Sequence, residues 1–389
     1  MAKLSIWRQS LAVAILFLSA FAARASGPEI LGHLPNTQAC RQWKAELTSP
    51  PLSVDAPAGT LKPLQTDQVS VRDAKGRLLY SWSDGKYHRS TPHALWSVSK
   101  SISAVLVGTA IQDGKLHLDD SLVNYLPRQI VAEAADRKQL AAVKISQLLA
   151  MTSGIEWSEA VDLDPVKVSV LPLMYGSGAV DFTRGVLTHS FVAHPGRVWN
   201  YSSANATLEW AALKTVYGGS GAKYDDMPYQ NLFRPLGLKS ARFEQDGTGT
   251  YLGAQYIYLS ADDLSTLGTL IINDGVTASG QRLIPTGWTK MAGEFEPTSI
   301  AHVKTKADFV HFSPYSKGGF WLNRQSPAGQ YYPHGPADML YAEGLLGQWL
   351  MIMPSQGLVL ARTGHDMTAP IAQVDSVVEK TVRCFGGAR

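Results

Sequence analysis

The chain has 389 residues, of which 45% are hydrophobic, and its formal net charge at pH 7 is +3. Lys3, Arg8 and Arg24 account for that excess, so the rest of the chain is electrically balanced and a nucleic-acid partner is disfavoured. The sequence contains no zinc-ligand spacing, phosphate-binding loop or histidine cluster, so we expect neither a metal site nor a cofactor. Its length and composition fit a globular protein large enough for two lobes.

The first 25 residues predict an export signal that is cleaved after Ala25. A basic start is followed by an apolar stretch at residues 11–23 and by a small-x-small cleavage site. The apolar stretch is too short to span a bilayer, so we expect no stable membrane anchor and a periplasmic location. A retained anchor is the alternative.

Two cysteines, Cys40 and Cys384, stand near the two ends of the chain that remains after cleavage. Export to an oxidising compartment would allow them to form a disulfide. Two separate buried thiols are the alternative. Neither cysteine lies in a catalytic or metal-binding motif.

In the first half of the chain, residues 68–71 and 78–82 form short segments that either alternate between polar and apolar residues or are mainly apolar. They flank a turn at Lys75-Gly76, which predicts a β-hairpin. The pattern then changes to helical periodicity over residues 97–112. Two further helices are predicted at residues 145–151 and 206–216.

In the second half, a helix is predicted to begin after Ser260, which can act as its N-cap with acidic residues in the first turn. Residues 348–353 and 358–363 predict a second hairpin, apolar enough to be central in a sheet. A last helix is predicted over residues 369–382.

Strands near both ends and helices between them indicate one sheet assembled from the two ends of the chain. We predict a sheet subdomain formed by residues 40–95 and 235–389, and a mostly helical subdomain formed by residues 96–234. Ser97 would then lie between the two, a frequent position for a binding site.

Ser97 and Lys100 stand three residues apart where the helix at 97–112 begins. Residues at i and i+3 share a helix face, so the Lys100 amine can take the proton of the Ser97 hydroxyl and make it a nucleophile. Two other Ser-x-x-Lys strings, at residues 83–86 and 220–223, lie in turn contexts. For this string alone, a polar first turn on a buried helix is the alternative interpretation.

Four segments, in order and spacing, resemble the penicillin-recognising serine hydrolases, the group of class C β-lactamases and D,D-peptidases. The resemblance covers residues 63–382 and implies an α+β fold of the β-lactamase/transpeptidase type, an antiparallel sheet flanked by helices plus an all-helical subdomain. The segments are Ser97-Val98-Ser99-Lys100, Leu148-Leu149-Ala150-Met151-Thr152-Ser153-Gly154-Ile155, Pro195-Gly196-Arg197-Val198-Trp199-Asn200-Tyr201-Ser202-Ser203, and Tyr341-Ala342-Glu343-Gly344-Leu345-Leu346-Gly347-Gln348.

The resemblance also implies roles for particular residues. Tyr201 would share a proton network with Ser97 and Lys100, and which of Lys100 and Tyr201 accepts the proton is left open. A lysine needs a strongly lowered pKa to act as a base near neutrality, and partial burial beside a phenol can supply that shift. The backbone amides of Ser97 and Leu345 would form the oxyanion hole.

Two departures from the pattern of β-lactamases argue against efficient β-lactam hydrolysis. Those enzymes carry Lys or His where this chain has Ala342, and Asn where it has Ser203, with Asn205 two residues further on. Glu343 adds a negative charge if it points inward; otherwise it faces solvent. Without the cation and the amide, the polar groups of a β-lactam lose their partners.

The same departures resemble the esterase and 6-aminohexanoate-dimer hydrolase branch, in which the third motif reads Ala-x-Gly-hydrophobic-x-Gly-Gln. Glu159, Asp162 and Asp164 either bind a substrate ammonium group or form a solvated loop. The substrate-pocket candidates are Ser203, Asn205, Ala342, Glu343, Gly344, Gln348 and Trp157.

Together these features predict an exported, cofactor-independent serine hydrolase that cleaves small ester or linear amide substrates through an acyl-enzyme. One alternative is a peptidoglycan D,D-peptidase or a weak class C-type β-lactamase. An alternative of another class is a non-catalytic protein that binds cell-wall fragments. No oligomeric state is predicted.

Overall fold

A computed structural model describes residues 27–48, 64–159, 168–300, 313–366 and 369–386. The predicted export signal and the loop acids Asp162 and Asp164 lie outside these ranges. Within them the strands are β1 (Glu29–Gly32), β2 (Thr66–Asp73), β3 (Leu78–Ser83), β4 (His93–Ala94), β5 (Arg242–Phe243), β6 (Ile257–Leu259), β7 (Trp321–Leu322), β8 (Leu340–Gly344), β9 (Gln348–Met353) and β10 (Leu358–Gly364).

The α-helices of the described ranges follow the same chain order. They are α1 (Gln38–Thr48), α2 (Val98–Gln112), α3 (Arg128–Glu133), α4 (Arg137–Ala142), α5 (Ile145–Leu149), α6 (Val170–Tyr175), α7 (Phe182–Leu187), α8 (Ser203–Val216), α9 (Ala222–Asp225), α10 (Ala261–Ile272), α11 (Trp288–Ala292), α12 (Pro297–Ile300) and α13 (Ile371–Phe385). None of these helices is long and apolar enough to cross a membrane.

The main sheet has seven antiparallel strands in the order β1-β3-β2-β10-β9-β8-β7. Both predicted hairpins are present, and β9 and β10 are buried along their whole length. Because side chains alternate along a strand, Leu350 and Val359 face one layer of helices while Met351 and Leu360 face the other.

One face of the sheet carries α1 and α13, which pack against each other. Trp43 of α1 contacts Tyr80 and Phe385 edge-on in this layer. A disulfide joins Cys40 to Cys384, so the two helices are linked covalently. This layer therefore fastens the first described helix of the chain to the last.

The opposite face carries α2 and α10, and α2 packs in turn against α8 of the helical region. The Ser260 side chain caps α10 by accepting a hydrogen bond from the Asp263 N–H, as the sequence predicts. Helix α8 begins at Ser203, before the predicted start at 206, because Ser202 caps it.

The sequence analysis did not predict β1 or the small sheet β4-β6-β5. The strands of the small sheet are two or three residues long, and β1 is a largely exposed edge strand, so none shows a clear alternating pattern. The division into sheet and helical subdomains stays a prediction. One hydrophobic cluster contains both Leu208 of α8 and Val359 of β10, so buried side chains run continuously through both regions.

Candidate active site

Ser97 lies on a tight turn between β4 and α2. The residue before it, Trp96, has φ of +48°, a left-handed conformation that bulky side chains rarely adopt. Helix α2 then begins at Val98, and the Ser97 Oγ accepts a hydrogen bond of 3.1 Å from the Lys100 Nζ. The serine and the lysine therefore meet one helical turn apart, as their spacing predicts.

The Lys100 side chain is 3% exposed and reaches the serine from inside the protein. Its Nζ also donates to the Ala254 carbonyl at 3.1 Å. Burial lowers the pKa of Lys100, and the carboxyls of Glu159 and Glu209 partly oppose that shift. An amine with a lowered pKa gives up its proton more readily, which suits a base.

Tyr201 lies just before α8 and is the third candidate catalytic residue, after Ser97 and Lys100. The Lys100 Nζ is 5.1 Å from the centroid of its ring, which stacks on Trp321 at 4.9 Å. Burial raises the pKa of Tyr201, while a hydrogen bond with the Ser97 side chain acts in the opposite direction. A hydroxyl, an amine and a phenol from two distant parts of the chain thus share one cleft.

The end of β8 lies against the turn that carries Ser97. A Cβ atom on Gly344 would be 2.2 Å from the Leu95 carbonyl oxygen and 3.2 Å from the Ser97 nitrogen. The next residue, Leu345, is 55% exposed. Neither the Ser97 N–H nor the Leu345 N–H donates a hydrogen bond to any residue that the structure describes, so both donors are available to a ligand.

Two of the third-motif candidates point in opposite directions. Ala342 packs in the cluster that contains α2, whereas Glu343 projects from the other face of β8, because neighbours on a strand alternate. The Glu343 carboxylate accepts a hydrogen bond from the Tyr332 hydroxyl and lines a cavity of about 170 Å³. Burial raises the pKa of Glu343 to about 7. Glu343 is therefore neither directed at Ser97 nor simply solvated.

Gln348 braces the turn after β8. Its Nε2 donates to the carbonyls of Leu345 and Leu346, both at 3.2 Å, and to that of Gly364 at 2.8 Å. Its Oε1 accepts from the Gly364 N–H. The structure thus places Gln348 behind the turn and not on the wall of the cleft.

Ser203 and Asn205 are buried on α8. The Ser203 N–H donates to the Glu159 carboxylate, which also accepts from the Trp157 indole at 2.8 Å. The Asn205 Nδ2 contacts the Met151 sulfur at 3.4 Å. Trp157 therefore holds Glu159 at the N-terminus of α8, and Glu159 is not part of a solvated loop.

Residues 66–376 match the sequence model of the Beta-lactamase family. This chain belongs to that family. It is a serine hydrolase of the penicillin-recognising group with the β-lactamase/transpeptidase-like fold, as the resemblance in the sequence implies. Among the residues that the structure describes, no cluster of His, Cys, Asp or Glu could hold a metal ion.

Solved structures of several hydrolases share the fold of this beta-lactamase family member. A protein from Bacillus anthracis assigned as a 6-aminohexanoate-dimer hydrolase is 17% identical, with a TM-score of 0.62 over 83% of this chain and 79% of that one. A family VIII carboxylesterase is 14% identical, with a TM-score of 0.63 over 92% and 100%. A D-stereospecific amidohydrolase from Streptomyces sp. is 18% identical, with a TM-score of 0.55 over 81% and 93%.

The sequence analysis of this family member missed two groups that act on Lys100. The Ala254 carbonyl belongs to a segment with no motif, and only the tertiary fold brings it to the lysine. Glu209 is an acidic residue among the buried side chains of α8. It is the single carboxylate of a helix made mostly of small and apolar residues, and that is the signal that could have identified it.

Proposed function

We propose that this chain is an exported serine hydrolase that cleaves ester or linear amide bonds through an acyl-enzyme intermediate. The observation that carries the proposal is the 3.1 Å contact between the Ser97 Oγ and the Lys100 Nζ, with the Tyr201 phenol beside both. The acyl-transfer chemistry needs a nucleophile, a base and an oxyanion site, and this cleft offers candidates for all three. The proposed export depends on the pattern of residues 1–25.

In the proposed acylation step, the Ser97 oxygen attacks the substrate carbonyl and its proton passes to the Lys100 and Tyr201 pair. Burial lowers the pKa of Lys100 and raises that of Tyr201. The neutral amine is therefore the available proton acceptor of the two near neutrality, whereas the phenol remains protonated. The pair then returns a proton to the leaving group, and water hydrolyses the acyl-enzyme.

The negative charge that develops on the carbonyl oxygen would be held by the amides of Ser97 and Leu345. Both N–H groups are free of hydrogen bonds to described residues, and the close approach of Gly344 to the Ser97 turn keeps them near each other. Removal of one such donor typically costs about 2.7–4 kcal/mol of transition-state stabilisation.

The proposed substrates are small esters or linear amides of the 6-aminohexanoate-dimer or carboxylester type. Ala342 presents a methyl group where a cation would hold a β-lactam or peptide carboxylate, and Glu159 adds a negative charge close to Tyr201. A cleft with these groups lacks the cation that would pair with a β-lactam or peptide carboxylate at that position. Solved structures with the same fold include proteins with both kinds of activity in their names.

Replacement of the nucleophile tests the proposal directly. We expect Ser97→Ala to abolish turnover of p-nitrophenyl esters in a protein with an unchanged circular dichroism spectrum, because among the described residues the Ser97 Oγ is the one hydroxyl to which the Lys100 Nζ donates a hydrogen bond. Ser220→Ala alters another Ser-x-x-Lys string at an exposed serine and should keep wild-type turnover. A Ser97→Ala protein with wild-type turnover would exclude the proposed mechanism. The same variants should also be assayed with linear amides, D-amino-acid amides and cephalosporins, to establish which substrate class the enzyme cleaves.

A further inference from the structure

Asp67 is a buried carboxyl group outside the candidate active site. It lies near the start of β2 in the main sheet and is 4% exposed. Its Oδ2 lies 2.6 Å from the His365 Nδ1 and 3.4 Å from the His93 Nε2. A buried carboxylate is costly unless partners compensate its charge. Here one carboxylate oxygen contacts two imidazoles that come from distant parts of the chain.

The first imidazole belongs to the segment that leads to Ser97. His93 lies in β4 of the small sheet, whereas Asp67 lies in the main sheet. Directly after β4, the Leu95 N–H donates to the Ile257 carbonyl at 2.9 Å, and the turn that carries Ser97 follows. Asp67 therefore ties the small sheet, and with it the Ser97 N–H, to the main sheet.

The second imidazole belongs to the segment that holds the turn of Leu345. His365 follows β10, and the N–H of the next residue, Asp366, donates to the Leu346 carbonyl at 3.0 Å. Leu346 is the chain neighbour of Leu345, whose N–H is the second proposed oxyanion donor. His365 thus connects Asp67 to the turn between β8 and β9.

Asp67 keeps its charge near neutral pH. Burial acts to raise the pKa of Asp67, but the two imidazoles together outweigh burial and lower it to about 2. The contact with Asp67 in turn raises the pKa of His365, which favours the imidazolium form, although burial opposes that shift. The Tyr87 ring contacts both imidazoles, with centroid distances of 4.7 Å to His93 and 6.3 Å to His365. The cluster is therefore held by charge and by ring contacts.

Neighbouring braces act on one segment each. The Arg362 Nη1 donates to the Gly347 carbonyl at 2.7 Å and steadies the turn between β8 and β9. The Gln68 Nε2 donates to the Thr91 carbonyl at 2.9 Å and steadies the loop before β4. Asp67 contacts a residue of each segment. Removal of its charge should loosen the two segments relative to each other, while the other hydrogen bonds keep each segment folded.

We propose that Asp67 is a positioning residue that fixes the two proposed oxyanion donors, the N–H groups of Ser97 and Leu345, relative to each other. This inference rests on the proposed function. The negative charge on the carbonyl oxygen develops in the transition state, so correctly placed donors stabilise that state more than the bound substrate. Loss of the Asp67 charge should therefore lower kcat and leave KM nearly unchanged.

The test compares kcat and KM for p-nitrophenyl acetate in wild type, Asp67→Asn and Asp73→Asn, with active sites counted by complete labelling with a fluorophosphonate. Asparagine keeps the shape of aspartate without its charge. We expect Asp67→Asn to lower kcat per labelled site by about 10- to 100-fold, because a misplacement of about 1 Å can cost about 10²-fold. Asp73→Asn is the matched control and should keep wild-type kcat, since Asp73 lies at the other end of β2 and accepts hydrogen bonds from Arg77.

A boronic acid distinguishes positioning from a purely structural role. Phenylboronic acid forms a tetrahedral adduct with a serine nucleophile and so resembles the transition state and not the substrate. Its inhibition constant should rise in Asp67→Asn by about the factor by which kcat falls. His365→Gln removes one of the two imidazole contacts and should act in the same direction. The double variant should be no slower than Asp67→Asn, because His365 acts through Asp67.

The outcomes separate this inference from the proposed function. If Asp67→Asn kept the wild-type kcat per labelled site and the wild-type inhibition constant, the role of Asp67 would be overturned and the Ser97 mechanism would stand. A double variant that showed the product of the two single effects would also overturn it. If neither Asp67→Asn nor His365→Gln folded, the role would be structural and the inference wrong. Turnover that persists in Ser97→Ala would instead overturn the proposed function.

Discussion

The Lys100 amine is almost completely withdrawn from water, and that withdrawal is the physical basis of the proposed chemistry. A solvated lysine has a pKa of about 10.4 and is protonated near neutrality. Burial disfavours the charged form and lowers the pKa of Lys100. The hydrogen bonds to the Ser97 Oγ and the Ala254 carbonyl fix the direction of the amine. When the amine loses the proton directed at Ser97, the lone pair that remains faces the serine hydroxyl.

Removal of the Tyr201 hydroxyl should slow the reaction without disturbing the cleft. We expect Tyr201→Phe to lower kcat/KM for p-nitrophenyl esters by about 10²–10⁴-fold, the usual range for a lost proton-transfer group. Phenylalanine keeps the ring that stacks on Trp321, so the fold should be retained. Steady-state kinetics measure the loss. Tyr217→Phe, whose hydroxyl donates to Asp113 elsewhere, should behave as wild type; a similar result for Tyr201→Phe would remove Tyr201 from the proton pathway.

The residues that could be predicted from the sequence are those whose relation depends on local spacing or on a family motif. Ser97 and Lys100 share a helix face, so their contact follows once the helix is predicted. That Tyr201 lies close to Ser97 and Lys100 follows from the family motif. The Ala254 carbonyl and Glu209 could not be found this way, because their distance from Lys100 depends on how separate segments pack.

At the scale of elements, the decisive contact is between the end of β8 and the turn before α2. The sequence predicts a strand, a turn and a strand here, but not which face each side chain takes. Ala342 faces α2 and Glu343 the opposite side because β8 pairs with β9 in a fixed register, with Glu343 opposite Trp349. A shift of one residue would exchange the two faces and would place the Glu343 carboxylate in the apolar cluster that contains Ala342.

A side chain at Gly344 should separate the strand from the turn. The added Cβ of Gly344→Ala would lie 2.2 Å from the Leu95 carbonyl oxygen, and since that atom is backbone, β8 must move. We expect kcat to fall by about 10²–10³-fold, the cost of losing one oxyanion donor. Gly293→Ala is a matched control, because its Cβ would meet its nearest neighbour at 3.4 Å, an ordinary contact. Wild-type kcat in Gly344→Ala would show that the Leu345 amide is not needed.

At the scale of the whole molecule, the two ends of the described chain are held together on one side of the sheet. Helices α1 and α13 pack on the face opposite α2, and the disulfide between Cys40 and Cys384 joins them. The sequence allows this pairing but does not require it, because only the fold brings the two helices together. Ser97 precedes α2, which lies on the other face, so the covalent link and the proposed chemistry are spatially separate.

Loss of the disulfide should therefore affect stability more than activity. Protein recovered from the periplasm should begin at Ser26, if the export signal is cleaved as proposed. We expect Cys40→Ser with Cys384→Ser to lower its free energy of unfolding by about 2–5 kcal/mol, measured by urea denaturation, with kcat/KM of the folded fraction retained. An equal free energy of unfolding for the wild type and the double variant would contradict the expected loss of stability. A periplasmic protein that keeps residues 1–25 would contradict the expected cleavage.

The same covalent link changes what a protease can achieve. A single backbone cut anywhere between Cys40 and Cys384 leaves two polypeptides that are still one molecule, since the disulfide closes the ring around the cut. The nicked pieces stay at high effective concentration and can remain docked. A protease outside the cytoplasm would have to cut the chain twice between Cys40 and Cys384 before a fragment from that interval could diffuse away.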